Sequence, residues 1–299
     1  MPTNSISYTA KAGLEMPLRR ALQNFPSALS LNESPALAAY NLGVAEIAIR
    51  FARVLDELDK FPEFALNFDA PSDDFVPGPL LGCYRELIYS LAEYYEFVGK
   101  LPHALGTPKQ ERIAFEAKWH RHKRHATIIC NKLKHEHNQL VYNVTLYPWG
   151  SLCHGFSVYR YRDGMLTPNQ DAILRGRESA SFNLRLRADF CDFLTMDYSA
   201  ANLSSFSQFC AVSSKLSESN SKYETQLGAL AKRVASRSEL GFRKERSLMI
   251  ETLRFQGEEL IFGLQKRQTS LPPLCQVRTR QQFPGDGVTT IYKIADWTS

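Results

Sequence analysis

The stretch that most constrains this chain is one long helix signal that ends where the pattern of the whole sequence changes. Thr107 stands at an N-cap position, Pro108 at the first helical position, and Gln110 completes a capping box. The helix is predicted to run to about His137. After Asn138 the residues become strand formers: 140–147 and 156–161 are rich in Val, Tyr and Phe, and Asp163-Gly164 is a strong turn signal. The expected class is therefore α+β, with an antiparallel helical bundle followed by a region of mixed helices and antiparallel strands.

Upstream, Ser34-Pro35 reads as an N-cap followed by a first-turn proline, opening a helix to about Phe61. The turn formers of 62–79 separate it from a second long helix over 80–98, which Gly99 and Pro102 are expected to end. A shorter helix is expected over 14–25. Downstream, helical character returns over 183–203 and 221–235. Two strand pairs follow, 248–255 with 260–265 and 276–281 with 288–294. The boundary falls between a bundle at 1–138 and a mixed region at 139–299, either as two domains or as one.

Charge is distributed unevenly along this plan. Residues 1–100 carry 8 Lys+Arg against 13 Asp+Glu, whereas 101–137 carry 8 against 3. An acidic first third thus meets a basic helix, which suits an anionic partner or complementary packing between neighbours. No run of about 20 apolar residues spans a bilayer, the first twenty residues lack a signal-type apolar run, and the expected location is cytoplasmic. The six cysteines are scattered with no C-x-x-C pair, against both a zinc ribbon and a disulfide framework.

The basic helix also holds five of the seven histidines: His120, His122, His125, His135 and His137. At about 100° per residue, Phe115, Trp119, His122, Ala126, Ile129, Cys130, Leu133 and His137 share one stripe, the expected buried face. His120, Arg124, Asn131 and His135 form another within an arc of about 60°. Two imidazoles, a guanidinium and an amide in line can hold a phosphodiester, and an imidazole can move protons near neutral pH. Arg121, Lys123, Lys132 and Lys134 flank this line and are expected to attract nucleic acid irrespective of sequence.

The element Asn131-Lys132-Leu133-Lys134-His135, late in a helical bundle, resembles the Asn-x-x-x-His part of the HEPN superfamily motif. The resemblance covers at most the first 138 residues. It implies a ribonuclease, often dimeric and often of a defence or toxin system, with Asn131 and His135 as catalytic residues. The family places an arginine before the asparagine, where this chain has Cys130, Ile129 and Ile128. Arg124 is the nearest substitute on the stripe, about 10 Å along the axis from Asn131.

Other chemistries find less support. His120 and His122 point to different sides of the helix, and no H-E-x-x-H is present, so neither a metal site nor a cofactor is expected. Cys153 and His154 are adjacent in a strand and face opposite ways. Arg160, Arg162, Arg175, Arg177, Arg185 and Arg187 form a second basic group, suited to phosphate or to neutralising acidic surface. The expected function is RNA binding with HEPN-like cleavage, with a homodimer or protein partner also in view. The alternative is a non-catalytic scaffold whose basic helix meets an acidic partner, its own N-terminal helices included.

Overall fold

A computed structural model describes residues 6–9, 13–25, 29–31, 34–64, 77–135, 138–147, 149–162, 165–168, 180–206, 222–239, 241, 249–266, 275–282 and 293–297. Six helices are named among them: α1 Pro17–Asn24, α2 Ala36–Leu58, α3 Gly78–Ala104, α4 Lys109–His135, α5 Phe182–Ala201 and α6 Lys222–Ser236. The strands are β1 Ile6–Thr9, β2 Ser30–Leu31, β3 Ser34–Pro35, β4 Gln139–Leu146, β5 Leu152–Arg162, β6 Met165–Pro168, β7 Ala180–Ser181, β8 Met249–Gln256, β9 Glu259–Lys266, β10 Cys275–Gln282 and β11 Lys293–Trp297. This is an α+β fold.

α2 buries Tyr40, Val44, Ile47, Phe51, Val54, Leu55 and Leu58, a spacing of three and four that makes one apolar stripe. α3 buries a matching stripe from Leu80 to Leu101, and the two helices pack together. α2 starts one residue later than expected, at Ala36, because Ser34–Pro35 pair with Ser30–Leu31 as a two-residue ladder.

The end of α3 corrects the sequence expectation. The helix runs through both Gly99 and Pro102 to Ala104. Gly99 is a packing residue: a Cβ there would lie 2.5 Å from the Trp119 indole of α4. Trp119 donates its Nε1–H to the Tyr95 carbonyl at 2.6 Å, so the indole lies flush on the α3 backbone. The actual stop is Gly106, whose φ of +63° reverses the chain. Gly106 N–H bonds the His103 carbonyl at 3.1 Å and Thr107 N–H the Pro102 carbonyl at 2.9 Å, satisfying carbonyls that the helix end would orphan.

α5 is the central element. It is buried on nearly every side, including Phe182, Leu186, Phe190, Phe193, Leu194 and Met196, and contacts α1, α3, α4, α6 and the strands. Phe190 meets Phe51 edge to face at 5.3 Å between centroids, and Phe193 meets Tyr94 at 4.9 Å. Phe182, Phe156 of β5 and Tyr84 of α3 form a triangle with centroids 4.7–5.4 Å apart, joining bundle and sheet. One hydrophobic cluster therefore runs from Leu14 to Phe262, and the apolar core does not divide at residue 138.

The larger sheet has the order β11-β10-β4-β5-β6, with β7 also paired to β5, all antiparallel. The pair Arg162↔Met165 brackets 163–164, which lie outside the described residues. The second sheet, β1-β9-β8, includes the unexpected N-terminal strand Ile6–Thr9. Both late strand pairs form, although β11 begins at Lys293 rather than 288.

Candidate functional site

α5 brings three carboxylates against the neighbouring helices: Asp197 meets α1, α2 and α3, Asp189 meets α3, and Asp192 meets α4. Asp197 is fully buried; its Oδ1 accepts from Tyr40 (2.7 Å) and Tyr94 (3.2 Å), and its Oδ2 from the backbone of Leu18 (3.2 Å). Burial pushes its carboxyl up to about 7 against these three stabilising donors, with the Glu224 charge adding to the rise. Asp189 pairs with Arg185 at 2.6 Å and accepts from Tyr84 at 3.1 Å. Burial raises its carboxyl, and raises the Tyr84 hydroxyl well above the usual phenol range. Asp192 takes the third direction, toward α4, where its Oδ1 lies 2.6 Å from His122 Nδ1.

α4 therefore has two polar sides with different fates. On the side toward α5, His122 pairs with Asp192, and His125 Nε2 lies 3.4 Å from the Tyr84 hydroxyl. His122, expected as a core or boundary residue of the apolar face, is half-buried at its edge: its side chain keeps 18% exposure and Asp192 keeps 19%. His137 lies outside the described residues. The apolar face itself is Phe115, Ala126, Ile129 and Cys130, with Trp119 and Leu133 half-buried against it.

On the outer side, His120, Arg124, Asn131 and His135 are all exposed, as are Arg121 and Lys134. Among the described residues, Arg121 and Arg124 form no ion pair, and neither Asn131 nor His135 has a side-chain hydrogen-bond partner. Of the expected flanking lysines, Lys132 does not belong to this surface. It is 8% exposed, and its backbone carbonyl accepts from the Asn138 amide (3.3 Å) and Nδ2 (3.1 Å). Lys123 is half-buried with its ammonium 3.3 Å over the Trp119 ring, and burial lowers its ammonium from the usual range. Lys134 lies 4.5 Å over the Tyr89 ring.

Of the second arginine group, Arg160 is exposed, whereas Arg185 and Arg187 are structural. Arg185 serves Asp189, and Arg187, 3% exposed, pairs with Glu239 at 2.5 Å and donates to the Arg237 carbonyl at 2.8 Å. Arg175 and Arg177 lie outside the described residues. Some acids of the first hundred residues are engaged away from α4, since Asp56 and Asp59 hold Arg233 and Arg237, and Glu86 holds Arg50. Glu93 and Glu96 of α3 instead lie near enough to α4 for their charges to act on Cys130 and, for Glu96, on Lys123.

His154, one strand residue after buried Cys153, is a structural histidine. Its Nε2 lies 2.7 Å from the Pro62 carbonyl, which can only accept, so Nε2 carries the proton and Nδ1 accepts from the Tyr142 hydroxyl at 2.5 Å. Burial lowers it to about 4, with the Arg237 charge adding to the fall, so the ring is neutral. It borders a cavity of about 230 Å³ with Phe61, Asn183 and Arg237. Among the described residues no group of three or more His, Cys, Asp or Glu is placed to hold a metal ion, and no described helix is long and apolar enough to cross a membrane. Among the described residues, Cys83, Cys130, Cys153 and Cys191 form no disulfide.

The sequence signal that missed the seam was the helical wheel. His122 falls within the apolar stripe, and its carboxylate partner lies 70 residues away. Compared with known proteins, the chain matches no family model, no curated protein and no solved structure.

Proposed function

We propose that this protein binds RNA along the exposed face of α4, acting in the cytoplasm. The observation that carries the reading is the row His120, Arg124, Asn131 and His135, flanked by Arg121 and Lys134, all exposed on one continuous helix. Between His120 and His135 the row extends about 22 Å, long enough to follow several phosphates of a strand. Arginine supplies bidentate phosphate contacts, and asparagine and imidazole supply hydrogen bonds to base or sugar edges. In this reading Asn131 and His135, the HEPN-like element, act first as RNA contacts. Cleavage at that pair is the finer part of the proposal, and it needs a neighbouring cation against the developing phosphate charge.

The test is the affinity for a labelled single-stranded RNA over a range of salt concentrations, beside the nucleic-acid absorbance of the purified protein before and after a high-salt wash. The expected log–log slope is about −0.7 per phosphate neutralised. Arg121→Gln and Arg124→Gln each remove about one contact's worth of slope. Salt-insensitive or absent binding rejects the reading and leaves an acidic protein surface as the occupant of this face. Were Asn131 and His135 the catalysts, Asn131→Ala and His135→Ala would abolish cutting while retaining most binding. Equal cutting by both variants and the wild type excludes the pair as catalysts.

A further inference from the structure

The exposed row has cations but nothing that orients an acid–base group, whereas the seam between α4 and α5 has both. His122 Nδ1 lies 2.6 Å from Asp192 Oδ1. The Asp192 carboxylate accepts, so Nδ1 carries the proton and Nε2 keeps its lone pair. That Nε2 has no partner among the described residues, and the ring keeps 18% of its surface. A histidine held on one nitrogen by a carboxylate and open on the other is the arrangement that fixes both tautomer and direction of a general base. His154 shows the contrast, since both its nitrogens are engaged.

The surroundings suit an anionic substrate. Lys118 lies one turn before His122 and Arg121 beside it; both are exposed and without an ion pair among the described residues. The base itself is held from below: Asp192 sits one turn after Asp189, which Arg185 and Tyr84 lock in place. Arg121 also belongs to the RNA-binding row, so the two sides of α4 are adjacent along one helix.

We propose that His122, oriented by Asp192, is the general base of a metal-independent RNA-cleaving site on the α4–α5 seam. The inference rests on the RNA-binding reading and moves the chemistry from Asn131 and His135 to a different pair. His122 Nε2 takes the proton of a ribose 2′-hydroxyl, and the O2′–P bond forms as the P–O5′ bond breaks. The departing O5′ takes a proton from water, and the hydroxide left behind takes back the proton held by His122. The products are a 2′,3′-cyclic phosphate end and a 5′-hydroxyl end, with no net change in protons. Lys118 and Arg121 face the charge that builds on the phosphate.

The test uses the full chain, a fluorescein-labelled single-stranded RNA and its fully 2′-deoxy counterpart, with a chelator present. The wild type is expected to bind both and to cut only the RNA, leaving cyclic phosphate ends. His122→Ala slows cutting by about 100-fold or more, and His122→Gln, which keeps a hydrogen bond to Asp192 without a base, slows it as much. Asp192→Asn lowers kcat by about tenfold or more with KM unchanged, the mark of lost positioning. Circular dichroism and thermal melts confirm that each variant is folded. If the wild type binds RNA and leaves it intact, the proposal is overturned and the binding reading stands. Recovery of cutting by His122→Gln, or equal cutting by all variants, also overturns it. Failure to bind either strand removes both.

Discussion

α4 and α5 lie side by side and use polar residues in opposite ways. α5 buries Asp189 and Asp197 and gives each a full set of partners, two tyrosine hydroxyls and a backbone amide in the case of Asp197. α4 carries its polar residues outward, where the row from His120 to His135 keeps unused hydrogen-bonding capacity. The buried groups specify how the helices meet; the open ones have capacity left for a ligand. His122 and Asp192 sit between these extremes, paired on one nitrogen and open on the other.

The contrast breaks most visibly on the buried side. Asp197→Ala orphans three donors in the bundle centre and is expected to cost about 3–5 kcal/mol in chemical denaturation. A loss under about 1 kcal/mol would mean that the network is dispensable. Gly99→Ala comes next. Its methyl group displaces the Trp119 indole, with an expected loss of about 1–3 kcal/mol and a shift in tryptophan emission. Unchanged emission would mean that α3 and α4 separate more readily than their packing implies.

Smaller effects follow from pH. Asp197 has its carboxyl raised from 3.8 to about 7, so the folded state holds this proton more tightly than the unfolded chain. Its contribution to stability is full below pH 3.8 and is lost as pH rises through about 7. His154 runs the other way: lowered from 6.5 to about 4, it contributes above pH 6.5 and loses that contribution as pH falls through about 4. Asp197→Asn should therefore leave a melting temperature that rises with pH more steeply across this window than in the wild type. An identical slope in the two proteins would contradict the assignment to Asp197.

Much of the fold can be read from the sequence because its elements rest on local signals. The apolar stripes of α2 and α3 and the late strand pairs all fall near their expected places. Gly99 misleads because a glycine inside a helix reads as a stop, while its purpose is to admit an indole from another helix. β1 is missed because four residues give little alternation and gain their order from pairing with β9. In the candidate site, the exposed row follows from helical geometry alone. The buried position of Lys132 does not. Nor does the engagement of the carboxylates, whose partners lie 103, 105 and 157 residues away for Tyr94, Tyr84 and Tyr40.

The open side of α4 should show the smallest change in stability and the clearest change in binding. Arg124→Gln is expected to move folding stability by no more than about 0.5 kcal/mol. The deciding measurement is therefore the salt dependence of single-stranded RNA binding by the wild type and by the Arg121→Gln, Arg124→Gln double variant, on protein shown to melt alike. Binding that weakens steeply with salt in the wild type, with a slope shallower by about 1.4 in the variant, is the predicted result. Equal slopes, or no binding at low salt, would contradict an RNA-binding role for the exposed face of α4.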